Sequence, residues 1–185
     1  MDDKIAKFIK ICLWTVIIFF IIRCIIWMPG SICDLLGAIG EVVSITIFVM
    51  GIYCYVIWRW NPLEKTPRIM GLYEGTIEYN FHGEDEKKEV LVVIKQTLLS
   101  VKVKIKTNEI TSNTITGDLL IENENYVLYY TYITNPKSKY SKENPIQYGT
   151  CRLTVDSQNK LTGTYWTSRK TIGDINLIKK QKNKE

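Results

Sequence analysis

The chain has 185 residues, with 24 Lys and Arg against 19 Asp and Glu, one His, five Cys and a net charge of +5. That excess is mild and comes largely from the run KKQKNKE at 179–185, so the charge carries no footprint for a nucleic-acid polymer. No CxxC or metal-ligand spacing occurs among the cysteines, four of which (Cys12, Cys24, Cys33, Cys54) lie in or beside apolar runs, so they read as reduced structural thiols with no metal site.

Two apolar runs come first, at 8–27 and 35–58. Each is close to the roughly 20 residues that a membrane-spanning helix needs. A cleaved signal peptide fits poorly, because the first run exceeds an h-region of roughly 7–15 residues and no small-x-small site follows it. Lys4, Lys7 and Lys10 precede the first helix and Arg59, Lys65 and Arg68 follow the second, while the short connection holds only Asp34. Both ends are therefore expected on the cytoplasmic side of a two-pass hairpin, with Tyr53, Tyr55, Trp58 and Trp60 at the interface. Arg23 and Glu41 fall inside the runs at similar depth; they either pair with each other or snorkel separately.

Residues 1–60 thus read as a membrane unit, 61–70 as a linker stiffened by Pro62 and Pro67, and 71–185 as a soluble domain with a basic tail. From Leu99 the period becomes two, with Leu99, Val101, Val103 and Ile105 alternating against Ser100, Lys102, Lys104 and Lys106. Further strands are expected at 71–81, 88–97, 112–122, 125–134, 146–157, 160–169 and 172–180, with polar breaks such as HGEDEK at 82–87. About eight antiparallel strands with short connections predict a sandwich or an up-and-down β-barrel. The barrel is favoured, because inward-reading Gly75, Gly149, Gly163 and Gly173 let curved strands pass closely.

Register then sorts the side chains by end. Alternate strand ends share one rim, expected away from the membrane, and bring Tyr79, Phe81, Thr107, Tyr132, Thr134, Thr167 and Arg169 to it, with Ser112, Asn113 and Thr171 across the turns. Gln96, Leu99, Leu161 and Leu177 fall at the opposite, drier end. Rings beside an arginine and hydroxyls suit a planar anionic ligand, since rings stack on bases and guanidinium pairs with phosphate. A capped barrel mouth, with Arg169 reaching to solvent, is the plainer alternative.

Catalysis lacks its parts. His82 lies in a loop of Gly and acids, no nucleophile has a base, and neither a phosphate-cradling loop nor HExxH occurs. Glu84, Asp85, Glu86 and Glu89 offer carboxylates for a cation, but with Lys87 and Lys88 among them a solvated turn is the better account. A binding protein rather than an enzyme is expected.

The order of motifs resembles a known family. An entry of WNPLEKTPRIMGLYEGTIEY behind a membrane hairpin, then VIKQT, YYTYITNP, YGTCRL and LTGTYWTSRKTIGDI, is similar to the two-transmembrane β-barrel effectors of bacterial cyclic-oligonucleotide anti-phage signalling (CBASS) systems. The resemblance implies a barrel that binds a cyclic dinucleotide from a partner nucleotidyltransferase, with no cofactor. It also implies homo-oligomerisation of the helices and disruption of the inner membrane. Carried over by position, the ligand cup falls on Tyr79, Thr107, Tyr132, Arg169 and Thr171, and further on Ser112, Tyr165 and Thr167. The competing readings are a membrane-tethered, lipocalin-like carrier of a lipid or other apolar ligand, and a structural docking partner.

Overall fold

The computed structural model describes residues 2–81, 84–142 and 144–180. His82 and most of the basic tail lie outside them, as do the side chains of Phe81, Glu84 and Asp85. The chain forms two compact units, one running to Lys65 and including the turn Thr97–Leu99, the other holding Thr66–Gln96 and the remainder from Ser100.

The first unit contains helices α1 (Asp2–Ile26) and α2 (Ile32–Tyr55), both long and apolar enough to cross a membrane. α2 starts where Ser31 caps it, its Oγ accepting a hydrogen bond from Asp34 N at 3.2 Å, and Asp34 complements the helix dipole. Ala38, Val42, Thr46 and Met50 recur at helical spacing on its buried face. Thr46 is accommodated there by donating to Val42 O at 2.8 Å, within its own helix. Arg23 Nε donates to Glu41 Oε2 at 2.9 Å and Arg23 Nη1 to Trp27 O at 2.9 Å. Of the two arrangements open to these charges, the structure shows the pair.

The second unit is a closed antiparallel barrel of eight strands in chain order. The strands are β1 (Gly71–Phe81), β2 (Glu84–Gln96), β3 (Val101–Lys106), β4 (Ile110–Glu122), β5 (Asn125–Pro136), β6 (Gln147–Ser157), β7 (Lys160–Thr167) and β8 (Ile172–Lys179). β1 closes the ring on β8, from Tyr73↔Lys179 to Tyr79↔Gly173. Inward alternation buries Tyr73, Val92, Leu128, Leu153, Leu161 and Leu177 completely. At Gly75 and Gly163 a Cβ would collide with the carbonyls of Asn176 and Arg152, so the close passage of neighbouring strands requires glycine. Gln96 plugs one end by accepting from Ile69 N and donating to Pro67 O, each at 2.9 Å.

Three details correct the reading of the sequence. β2 begins at Glu84 rather than at 88, because its charged start finds partners across the ladder: Lys87 reaches Glu78 at 2.6 Å and Glu86 faces Tyr79. Leu99 is not an inward strand residue; it is 39% exposed, whereas Leu98 beside it is buried. β7 ends at Thr167, so Arg169 is not on the strand's inward row. A turn intervenes, in which Lys170 N donates to Thr167 O, Thr167 N donates to Thr171 O, and Lys170 takes a left-handed φ of 62°.

Candidate functional site

The ends of β1, β3, β5 and β7 surround a cavity of about 320 Å³. All eight anticipated residues, Tyr79, Thr107, Ser112, Tyr132, Tyr165, Thr167, Arg169 and Thr171, line it. Asn113, also placed near this rim, does not. Each strand contributes because its inward row runs out of core at this end and presents polar or aromatic groups instead.

Two buried tyrosines form the floor and wall. Tyr132 lies over Gly149, where a Cβ would strike the ring, and Tyr165 lies against Gly173 in the same way. Tyr130 supports Tyr132 from beneath, with ring centroids 5.8 Å apart and tilted by 46°. Burial first, then the neighbouring Cys151, pushes the phenol of Tyr132 up, and burial pushes Tyr165 up likewise. Both therefore stay neutral and able to donate at physiological pH.

Hydroxyls ring the wall. Thr134 Oγ1 accepts from Gln147 N at 3.1 Å, which ties β5 to β6 at the rim. Thr107 Oγ1 accepts from Glu109 N and Ile110 N at 3.2 and 3.1 Å, shaping the β3–β4 turn. Thr167 Oγ1 accepts from Arg169 N at 3.3 Å, and this turn carries the exposed Arg169 side chain at the mouth.

The sequence reading missed Lys88, Glu86, Glu109, Tyr140, Asn144 and Gln147, all in the lining. Lys88 and Glu86 share parity with buried Val90, Val92 and Ile94, so the alternation of β2 extended upstream would have found them. Lys88 Nζ lies 3.3 Å from Glu109 Oε2, 3.5 Å from Glu86 Oε2 and 5.5 Å from the Tyr79 ring centroid. Tyr79 Oη donates to Glu86 Oε2 at 2.5 Å. That bond, followed by the Lys88 ammonium, holds the Glu86 carboxyl below its ordinary range. Burial, then Glu86, pushes the Tyr79 phenol up. Burial alone would lower Lys88, but Tyr79 and Glu109 together outweigh it and raise the ammonium's pKa. Among the described lining residues the formal charges of Lys88, Arg169, Glu86 and Glu109 cancel. No cluster of metal-ligating side chains occurs among the described residues.

Residues 64–179 match the family model described as Cap15, cyclic dinucleotide receptor domain. The chain belongs to the Cap15 family. That span holds the Cap15 barrel whole, from Gly71 to Lys179, and with it every residue of the cup. The chain is also similar to CD-NTase-associated protein 15 of Staphylococcus schleiferi, 44% identical over 186 residues that cover 97% of this chain and 99% of that one. The Cap15 relationship therefore extends over the helices as well as the barrel, and it fits the CBASS resemblance of the motifs. A solved structure of a redesigned beta barrel aligns with a TM-score of 0.47 and 13% identity over 61% of this chain and 92% of that one.

Proposed function

We propose that the chain is a non-enzymatic anti-phage effector: its barrel binds a cyclic dinucleotide made by a partner nucleotidyltransferase, and binding drives assembly of the apolar helices and disruption of the bacterial inner membrane. The helices form a two-pass hairpin among membrane lipids with both termini in the cytoplasm, as the lysines and arginines outside the spans favour. The observation that carries the reading is the cavity of about 320 Å³ within a Cap15 barrel, where buried Tyr132 and Tyr165 lie with Arg169 at the mouth. Its volume is in the range of small-molecule sites, roughly 300–1,000 Å³. Rings stack on bases, guanidinium pairs with phosphate, and Ser112, Thr107 and Thr171 supply hydroxyls for the sugar and base edges.

An apolar cargo suits this cup poorly. A lipid chain would cover Lys88, Glu86, Glu109 and Arg169 without replacing the water they lose. Assembly by a ligand requires tighter binding to the assembled state than to the resting one, by about 5.5 kcal/mol for a shift from 1:99 to 99:1. The test is sedimentation of the full chain in detergent with a panel of cyclic dinucleotides. One member should produce larger species, and Arg169→Ala should abolish them while the unliganded melting temperature stays put. Ligand-driven assembly that survives in Arg169→Ala would refute the site.

A further inference from the structure

A cyclic dinucleotide carries two phosphodiesters, yet the opposite charges of the described lining residues cancel. Arg169 stands at the mouth, and Lys88, the other cation among the described lining residues, lies between carboxylates. Its contacts are long. Lys88 Nζ lies 3.4 and 3.3 Å from the two oxygens of Glu109 and 3.5 Å from Glu86, against about 2.7–2.9 Å for a well-formed charge-assisted bond. The ammonium is shared among three carboxylate oxygens, each at the long end of hydrogen-bond length, a geometry on which a phosphate oxygen can improve.

Glu109 has somewhere else to go. Its Oε2 already accepts from Asn144 Nδ2 at 3.1 Å, and its backbone O accepts from Lys137 N at 2.9 Å. Losing Lys88 would leave the carboxylate hydrogen-bonded and partly in water, so the exchange strands no charge. Glu86 likewise keeps the hydrogen bond from Tyr79.

We propose that Lys88 is a second phosphate-binding cation of the cup, and that Glu109 is the internal anion a phosphate displaces from it. The proposal rests on the cyclic dinucleotide reading above and assigns one phosphate to each cation. It yields selectivity for ligands with two separate phosphodiesters: a cyclic mononucleotide, whose single phosphodiester meets Arg169, leaves the Lys88–Glu109 contact intact and gains nothing from it. The displacement also reaches beyond the pocket floor. Glu109 sits between β3 and β4 and Asn144 between β5 and β6, so one exchange is felt at two connections of the rim.

The experiment titrates c-di-GMP, c-di-AMP and the cyclic GMP–AMP isomers against the full chain in detergent by calorimetry, and carries the tightest binder into the variants. Lys88→Gln should weaken that binder about tenfold or more, and Glu109→Gln should tighten it several-fold. In the double variant the gain from Glu109→Gln should vanish, because its benefit exists only through Lys88. Cyclic AMP should bind wild type and Lys88→Gln alike. Unliganded melting temperatures report folding, and Lys88→Arg, which keeps the charge, should retain most of the affinity. The proposal is overturned if Lys88→Gln binds as wild type does, if Glu109→Gln weakens binding, or if the two effects simply add. Should no panel member bind wild type, this proposal and the functional reading fall together. Should Arg169→Ala lose binding while Lys88→Gln keeps it, only this proposal falls.

Discussion

Two glycines of the barrel separate fold from site, and replacing each by alanine should produce opposite losses. At Gly163 a Cβ would meet the backbone carbonyl of Arg152, which cannot swing away without breaking the β6–β7 ladder at Leu153↔Gly163. At Gly149 the atoms in the way belong to the Tyr132 ring, which can tilt, and the space beside it is the cup. Overpacking a core by a methyl costs about 1–3 kcal/mol. Gly163→Ala should reach the top of that range or beyond, since backbone must move, and at about 4 °C or more per kcal/mol it should lower the melting temperature by at least about 10 °C. Gly149→Ala should fall at the low end, a loss of about 4–8 °C, while the displaced ring narrows the aromatic wall of the cup and, on the proposed function, cuts cyclic dinucleotide affinity by about tenfold, or 1.4 kcal/mol. Thermal melts of the full chain in detergent, with and without the nucleotide that binds wild type, read both effects. Wild-type affinity in Gly149→Ala would refute the placement of Tyr132 as a cup wall, and an unshifted melt in Gly163→Ala would refute the close strand passage.

Glu86 has a pKa held down in the folded chain by Tyr79, so its contribution to stability is full above its unfolded value of about 4.3 and is lost as pH falls through the lower folded value. Glu86→Gln should therefore flatten the fall in melting temperature below about pH 4; an unchanged acid limb would count against the Tyr79–Glu86 bond. The Cys151 thiol, pushed up to about 12 by burial, should resist maleimide at pH 8 in the folded chain and react once it is denatured. Rapid labelling of the native barrel would show that Cys151 is not the closed core position it occupies. For the helices, Arg23→Glu or Glu41→Arg alone should reduce the amount of membrane-inserted protein, and the double exchange should restore it, as judged by fractionation; failure of the exchange to rescue either single variant would sink the pair.

What could be read from the sequence had a local period, and what could not depended on neighbours far along the chain. Alternation in residues 101–106 and the inward glycines announced a curved, closed sheet, and that sheet is what forms. The start of β2 looked like a solvated turn because Glu86, Lys87 and Lys88 are costly on a strand unless partners stand opposite. Those partners, Glu78, Tyr79 and Glu109, lie on other elements. Arg169 reached the cup by a different route from the one its parity implied. Alternation carried the strand two residues too far, while the turn ending in left-handed Lys170 sets the guanidinium at the mouth.

The same distinction divides the cup. Its aromatic wall, Tyr132 and Tyr165, follows from strand parity and was visible residue by residue. Its charge balance does not, because Lys88 meets Glu109 across 21 residues and Asn144 meets Glu109 across 35, through connections with no period at all. Read without those contacts, the mouth has one arginine and reads as cationic. With them the charges of the described lining balance, and on the proposed exchange a ligand takes Lys88 from Glu109 as well as meeting Arg169. That exchange, rather than the presence of an arginine, is what would make the barrel prefer a ligand with two phosphodiesters over a cyclic mononucleotide with one.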